Sequence, residues 1–149
     1  MEIVFANDRI DECVKIRTEV FVTEQGVPPE LEVDGFDAAG APCDHFLIVD
    51  EGEPVGTFRC IFEGGAVHIG RLCVKKEKRH RGYGRAALEF IEKYYGARGY
   101  EKLTLGAQCT AIPFYEKCGF TVTSGVFDDA GIPHQAMEAI LPEGERDER

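Results

Sequence analysis

Between Asp44 and Val74 three runs rich in β-branched and aromatic residues, DHFLIVD, VGTFRCIFE and AVHIGRLCV, are joined by the turns EGEP and GG. Connectors that short leave no room for a crossover, so each run must fold back on the one before it and pair antiparallel. The middle of the chain is therefore a meander, and the remaining segments have to be added to it.

Ahead of it, EIVFA reads as a first strand. DECVKIRTEVFVTEQ carries Cys13, Ile16, Val20 and Phe21 on one helical stripe, with Asp8 or Asp11 as its expected cap. GVPPELEVDGFDAAGAPC has prolines and glycines without period and reads as loop with room for one helical turn, and a loop that long in a compact domain is commonly functional. Behind the meander, YGRAALEFIEKYYGARG places Leu88, Ile91 and Tyr95 on one face, with Gly99 as its stop. KLTLGAQ is again a strand, AIPFYEKCGF a short helix with Pro113 in its first turn and Gly119 at its end, and FTVTSG and HQAMEAIL close the sheet. The expected fold class is α+β: a mixed, mostly antiparallel sheet flanked by helices. At 149 residues the chain reads as a single domain over 1–142, followed by a charged tail at 143–149.

The junction between meander and long helix has an unusual composition. KKEKRHRGYGRAALEF holds six of the chain's seventeen Lys and Arg residues, while the formal net charge of the whole is −10. A general nucleic-acid binder needs a broad basic face, so that class is disfavoured, and an RNA-contacting regulator would also want aromatic residues interleaved through a loop that has only Tyr83. The opposite pole, Glu19 to Asp37, has six acids and no base. That separation suits an anionic cofactor at one place and a cationic substrate at another, and equally suits two solvated surfaces. No run reaches the roughly 18 apolar residues of a membrane span, and the N-terminus lacks the basic and apolar regions of a signal peptide, so a cytoplasmic protein is expected. The six cysteines lack C-x-x-C spacing and lie mostly in apolar, strand-like contexts, which reads as small buried hydrophobes and gives no support for a metal site.

Arg79-x-x-Gly82-x-Gly84 stands between a strand and a helix, which is the setting for anion binding. First-turn N–H groups of a helix have no intrahelical partner, and glycines let phosphate oxygens approach the backbone. Arg79, Arg81 and Arg85 can add charge-assisted hydrogen bonds. The alternative is a solvated basic turn. Among phosphate ligands, a nucleoside triphosphate would want G-x-x-x-x-G-K-[ST], which is absent. Gly82-x-Gly84-x-x-Ala87 formally matches a dinucleotide fingerprint, but an antiparallel meander precedes it and too little chain follows for a Rossmann fold. Coenzyme A is the third ligand.

These segments resemble the GNAT superfamily of acyl-CoA-dependent N-acetyltransferases. IGRLCVKKEKRHRGYGRAAL looks like the family's strand-loop-helix motif, with Arg79-x-x-Gly82-x-Gly84 matching Q/R-x-x-G-x-G/A, and LTLGAQCTAIPFYEKCGF is similar to its later strand-helix motif. IRTEVFVTEQGVP, ELEVDGFD and DAGIPH resemble a bacterial YjcF-like branch. His80 departs from the family, where many members carry glycine. The resemblance implies a GNAT-like sheet with acyl-CoA held between two splayed central strands, and acetyl transfer from acetyl-CoA directly to a primary amine of a small cationic acceptor. The alternative is an acyl-CoA-binding or sensing module without turnover. The implied cofactor cradle is Arg79, His80, Arg81, Gly82, Tyr83, Gly84 and Arg85, with backbone groups of Leu72, Cys73 and Val74 pairing with the pantetheine arm and Gln108 contacting its amides. An N–H of Cys73 or Val74 would polarise the thioester. Tyr115, a phenol with an ordinary pKa of about 10, is the implied general acid, or else a core aromatic beside Phe114 and Phe120. Glu24 and His134 are the two candidates for the base, each with a structural alternative. Glu32, Asp34 and Asp37 are candidates for drawing in the ammonium substrate. Cys109 with His134 as base would be a rival, acyl-enzyme route, though no third orienting group accompanies them. No metal is implied, no nucleic acid or membrane partner is expected, and the resemblance leaves room for a homodimer.

Overall fold

A computed structural model describes residues 1–142; the tail expected at 143–149 lies outside the described residues. The strands are β1 (Glu2–Phe5), β2 (Cys43–Asp50), β3 (Glu53–Glu63), β4 (Ala66–Val74), β5 (Lys102–Gln108), β6 (Thr121–Val122), β7 (Phe127–Asp129) and β8 (Ile132–Ile140). The α-helices are α1 (Ile10–Arg17), α2 (Pro29–Glu32), α3 (Tyr83–Gly96) and α4 (Ile112–Lys117). The strand order is β1-β2-β3-β4-β5-β8-β6, with β7 also paired to β8. One neighbouring pair, β4 and β5, is parallel, and β1/β2, β2/β3, β5/β8, β6/β8 and β7/β8 are antiparallel, so the fold is the α+β class expected. The chain divides into two compact units, one of Met1–Ile61 with Gly70–Ala87, the other of Phe62–Ile69 with the chain from Leu88 onward.

In the first unit the expected meander forms, with β2 running antiparallel to β3 from Cys43↔Ile61 to Asp50↔Glu53. β2 is buried along nearly its whole length because both its faces are covered. On one face Phe46 stacks on Phe58 with ring centroids 4.8 Å apart. On the other, Leu47 and Val49 join Ala6, Cys13, Ile16, Val20 and Cys73 in a buried cluster. The helix expected through Gln25 stops being α at Arg17, and Thr18–Glu24 is π-helical, closed by Gln25 N–H donating to the Val20 carbonyl at 3.1 Å. Longer-ranged bonds of this kind rotate the residues beyond them away from their α-helical direction. Neither Asp8 nor Asp11 caps α1. Arg9 is the N-cap, without a side-chain cap, and its guanidinium reaches forward to Glu12. The expected single helical turn in the acidic loop is α2, with Pro29 in its first turn, where a missing N–H costs nothing. A second short turn, the 3-10 helix Gly35–Asp37, is closed by a capping box of Asp34 and Asp37.

In the second unit β4 pairs with β5 from Ala66↔Lys102 to Ile69↔Leu105, and β8 lies antiparallel to β5 from Lys102↔Ile140 to Gln108↔His134. The apolar stripe of α3 is buried as expected at Leu88, Ile91 and Tyr95, although the helix ends at Gly96, before the left-handed turn residue Gly99. α4 has Pro113 in its first turn, and Gly119, at φ +96°, takes the chain out of it. The last strand starts at Ile132, two residues before the segment expected, and makes a hairpin with β7, which was not anticipated because Asp128 and Asp129 are poor strand formers. Ala130 and Gly131 connect them, both left-handed at φ +53° and +83°, as a two-residue hairpin turn of the favoured twist requires. No described helix is long and apolar enough to cross a membrane.

Candidate active site

The cationic junction lies in the first unit. β4 leaves the sheet at Lys75, whose N–H donates to the Val55 carbonyl at 2.9 Å, passes through the 3-10 turn Lys76–Lys78, and enters α3 at Gly82. Ala86 N–H closes the first helical turn on the Gly82 carbonyl at 3.0 Å, so the N–H groups of Tyr83 and Gly84 have no intrahelical acceptor. Gly82 is left-handed at φ +84°, and a Cβ there would meet nothing within 4 Å. His80 is also left-handed, at φ +63°, which gives the physical reason a glycine suits that position; a histidine accepts it at a cost of about 1–2 kcal/mol. The first turn of α3 has no acid, although the chain carries a net charge of −10. Open space above a glycine, outward N–H groups and flanking cations are what a diphosphate needs, so the residues fit the end of coenzyme A that the loop was expected to hold.

Arg79 and Tyr83 of the cradle are already engaged with residues outside it. Arg79 donates through Nε to the Val74 carbonyl at 3.0 Å and through both terminal nitrogens to Glu24, each at 2.6 Å. The hydrogen bonds from Arg79 hold the Glu24 carboxyl below its ordinary range, which weakens it as a base. Tyr83 donates its hydroxyl to the Asp50 carboxylate, and that bond raises the phenol's pKa. Glu24 also borders an open depression of about 400 Å³ with Glu19, Val20, Thr23, Lys76 and Glu77.

β4 itself is irregular just where the donors were expected. Arg71 has φ +54°, a left-handed residue inside a strand, as found in bulges. Past it Cys73 is buried, and burial pushes its thiol pKa well up. A Cβ on Gly56 of β3 would lie 2.6 Å from the Cys73 carbonyl oxygen, so that oxygen is turned towards β3. The peptide is trans, and the Val74 N–H of the same peptide plane therefore points away from β3.

Glu32, Asp34 and Asp37 are brought together, but with three arginines. Arg17 Nε lies 2.8 Å from Glu32 and Nη1 2.7 Å from Asp37, Arg59 reaches Asp34 at 2.6 Å and Asp37 at 3.1 Å, and Arg71 reaches Glu32 at 2.9 Å and Asp34 at 3.5 Å. Burial alone would raise the Asp37 pKa, but hydrogen bonds from Arg17 hold its carboxyl far below the usual range. Burial likewise works against the Arg17 charge, and Asp37 and Glu32 more than restore it. Three carboxylates against three guanidinia leave no surplus negative charge for an ammonium group.

The remaining predicted residues lie in the second unit. Gln108 at the end of β5 is directly opposite His134 on β8. His134 is 8% exposed, and its Nδ1 faces the Ile132 carbonyl at 2.7 Å. A carbonyl can only accept, so Nδ1 carries the proton and Nε2 the lone pair of the neutral ring. Phe127 stacks on this imidazole at 6.0 Å and reaches over Gly106, where a Cβ would be 3.7 Å from its Cζ. Tyr115 is half-buried on α4, edge-on to Phe114 and Phe120 with centroids 5.1 and 5.9 Å away. Cys109 starts the 3-10 turn after β5 and is a half-buried free thiol, while Cys13, Cys43, Cys60 and Cys73 are buried, as small hydrophobes in such contexts should be. Sequence reasoning missed Gly56, Arg71 and Phe127; the DDAG turn ahead of His134 was the available signal for the hairpin that carries Phe127.

A family described as "Acetyltransferase (GNAT) domain" matches residues 19–141. The Bacillus subtilis protein named uncharacterized N-acetyltransferase YjcF is 37% identical over 131 residues, which are 87% of this chain and 91% of that one. A crystal structure from Lactobacillus plantarum is 29% identical and superposes with a TM-score of 0.86 over 95% of this chain and 98% of its own. An aminoglycoside 6′-N-acetyltransferase complexed with coenzyme A shares the fold at a TM-score of 0.71 and 20% identity, covering 95% of this chain and 98% of its own.

Proposed function

This chain belongs to the GNAT family of acetyltransferases, and from that premise we propose that it moves an acetyl group from acetyl-CoA directly onto the primary amine of a small cationic acceptor. The single observation that carries the cofactor assignment is the acid-free start of α3, with left-handed Gly82 open to solvent and cations on either side. Tyr83 and Gly84 N–H groups would hold the diphosphate, with Arg79, Arg81 and Arg85 adding charge. Acetyl-CoA supplies an activated acyl group, a thioester. The Val74 N–H, directed away from β3, donates to the thioester oxygen as charge develops there, and the Leu72 and Cys73 backbone lies beside the pantetheine arm. His134 Nε2 takes the proton that the attacking amine must lose, and the Tyr115 hydroxyl returns a proton to the departing sulfur. Glu24 is the weaker candidate for the base, because its carboxylate is committed to Arg79. A cationic acceptor is favoured by the net charge of −10 acting at long range rather than by Glu32, Asp34 and Asp37, whose charge is balanced.

Calorimetry with acetyl-CoA followed by CoA release over a panel of primary amines tests the reading. Heat and release together support it. Heat without release on any amine assigns the chain to an acyl-CoA-sensing role, and a well-folded protein giving no heat removes the cofactor assignment. Tyr115→Phe should keep its acetyl-CoA affinity while turnover falls about 10²- to 10⁴-fold; unchanged turnover would strike out the acid.

A further inference from the structure

The ion pairs around the acidic loop form a closed circuit. Arg17 pairs with Glu32, Glu32 with Arg71, Arg71 with Asp34, Asp34 with Arg59, Arg59 with Asp37, and Asp37 returns to Arg17. Guanidinium and carboxylate alternate all the way round. The circuit joins α1, α2 with the loop after it, β3 and β4, and it meets β4 at its one left-handed residue. Arg71 is anchored beyond its two carboxylates as well, since its guanidinium also donates to the Glu32 carbonyl at 3.2 Å and to the Leu31 carbonyl at 3.4 Å.

We propose that this ring holds the Arg71 backbone in its left-handed conformation, making Arg71 a positioning residue for the Leu72–Val74 donors; the inference rests on the acetyl-transfer reading above. A residue in a regular strand sends its side chain off one face of the pleat, and changing the sign of φ redirects the Cα–Cβ bond. An arginine returned to ordinary strand geometry would no longer aim its guanidinium at Glu32 and Asp34. Four acceptors on α2 and the loop after it therefore select the left-handed state, which a non-glycine residue otherwise disfavours. The peptide planes that follow Arg71 are turned with it, including the one whose carbonyl faces Gly56 and whose N–H belongs to Val74. The acids of the N-terminal segment act on the reaction through the backbone of β4 and not by attracting the acceptor.

Arg71→Ala and Arg71→Gly separate the ring's hold on the backbone from a merely structural role, because both lack the guanidinium and glycine alone takes positive φ without penalty. With the best amine of the panel, Arg71→Ala should lose about tenfold in kcat with KM for acetyl-CoA little changed, and Arg71→Gly should recover most of that loss. Amide hydrogen exchange at Leu72–Val74 should be faster in the alanine variant and near wild type in the glycine variant, a readout that needs no turnover. An alanine variant matching wild type in rate and exchange, or a folded glycine variant as impaired as alanine, overturns the proposal. If neither variant folds, Asp34→Asn opens the ring at its most exposed carboxylate, and unchanged exchange at Leu72–Val74 would overturn it equally. A wild-type protein that binds acetyl-CoA yet turns over no amine would instead count against acetyl transfer, while the exchange result still decides for or against the ring.

Discussion

Asp37→Asn takes one negative charge out of the ring and leaves almost the same shape behind. The Asp37 side chain is 4% exposed and faces Arg17, 1% exposed, and Arg59, 5% exposed. It accepts from Arg17 at 2.7 and 3.0 Å, from Arg59 at 3.1 Å and from the Asp34 N–H at 3.0 Å. Asparagine can keep one acceptor, but its amide group must then face a guanidinium, and the ring is left with a net positive charge away from water. Arg59 has little slack to absorb this, since its Nε is already buried without a hydrogen-bond partner. Stranding one member of a buried pair costs about 3–5 kcal/mol, against about 0.2–1 kcal/mol for an exposed pair. For a chain of this size that loss corresponds to a fall in Tm of about 6–20 °C. With no tryptophan in the chain, urea unfolding is best followed by far-ultraviolet circular dichroism. At an m-value of about 2 kcal/mol/M the midpoint should drop by about 2 M. Glu12→Gln, which breaks the exposed Arg9–Glu12 pair, serves as control and should leave the midpoint where it was. An Asp37→Asn midpoint as close to wild type as that control would mean that the ring behaves as ordinary surface pairing, too weak to hold Arg71 in its left-handed conformation.

The same carboxylate sets an acid limit. Because the folded pKa of Asp37 is depressed, its contribution is complete above the unfolded value of about 4 and drains away as pH falls from there toward the folded value; wild type should lose urea resistance below about pH 4 faster than Asp37→Asn, and equal slopes would refute the assignment. Gly56→Ala places a Cβ 2.6 Å from the Cys73 carbonyl oxygen and 3.0 Å from Ile48, so it should cost about 1–3 kcal/mol and lower kcat; wild-type stability and rate would show that β3 and β4 can part there freely. Glu24→Gln should raise the KM for acetyl-CoA by loosening Arg79 while the pH profile of kcat keeps its shape; a fall in kcat of about 10²-fold or more, with the acid limb lost, would return the base role to Glu24.

The parts of this fold that were legible in advance are those with local causes. The two turns EGEP and GG admit only antiparallel neighbours, so the meander followed from adjacent residues, and the glycine-cation junction before α3, which we propose as the phosphate cradle, is read from adjacent residues too. The π-helical Thr18–Glu24 was hidden because its hydrogen bonds are chosen by what packs on it rather than by its own side chains, and β7 because Asp128 and Asp129 are poor strand formers even beside a turn signal. The ring was hidden for a different reason. Its links join residues 15 to 39 positions apart, so neither the acids nor the arginines look paired in sequence. Half of the information was nevertheless present. Arg59 in TFRCIF and Arg71 in IGRLCV are cations within strands that otherwise read as buried, and Arg17 lies on a helix whose apolar face is core. A guanidinium taken out of water needs a carboxylate. The one segment rich in acids and without a base, Glu19–Asp37, can supply as many carboxylates as these arginines require, which makes charge balance across distant segments the constraint that ties the loop to the sheet.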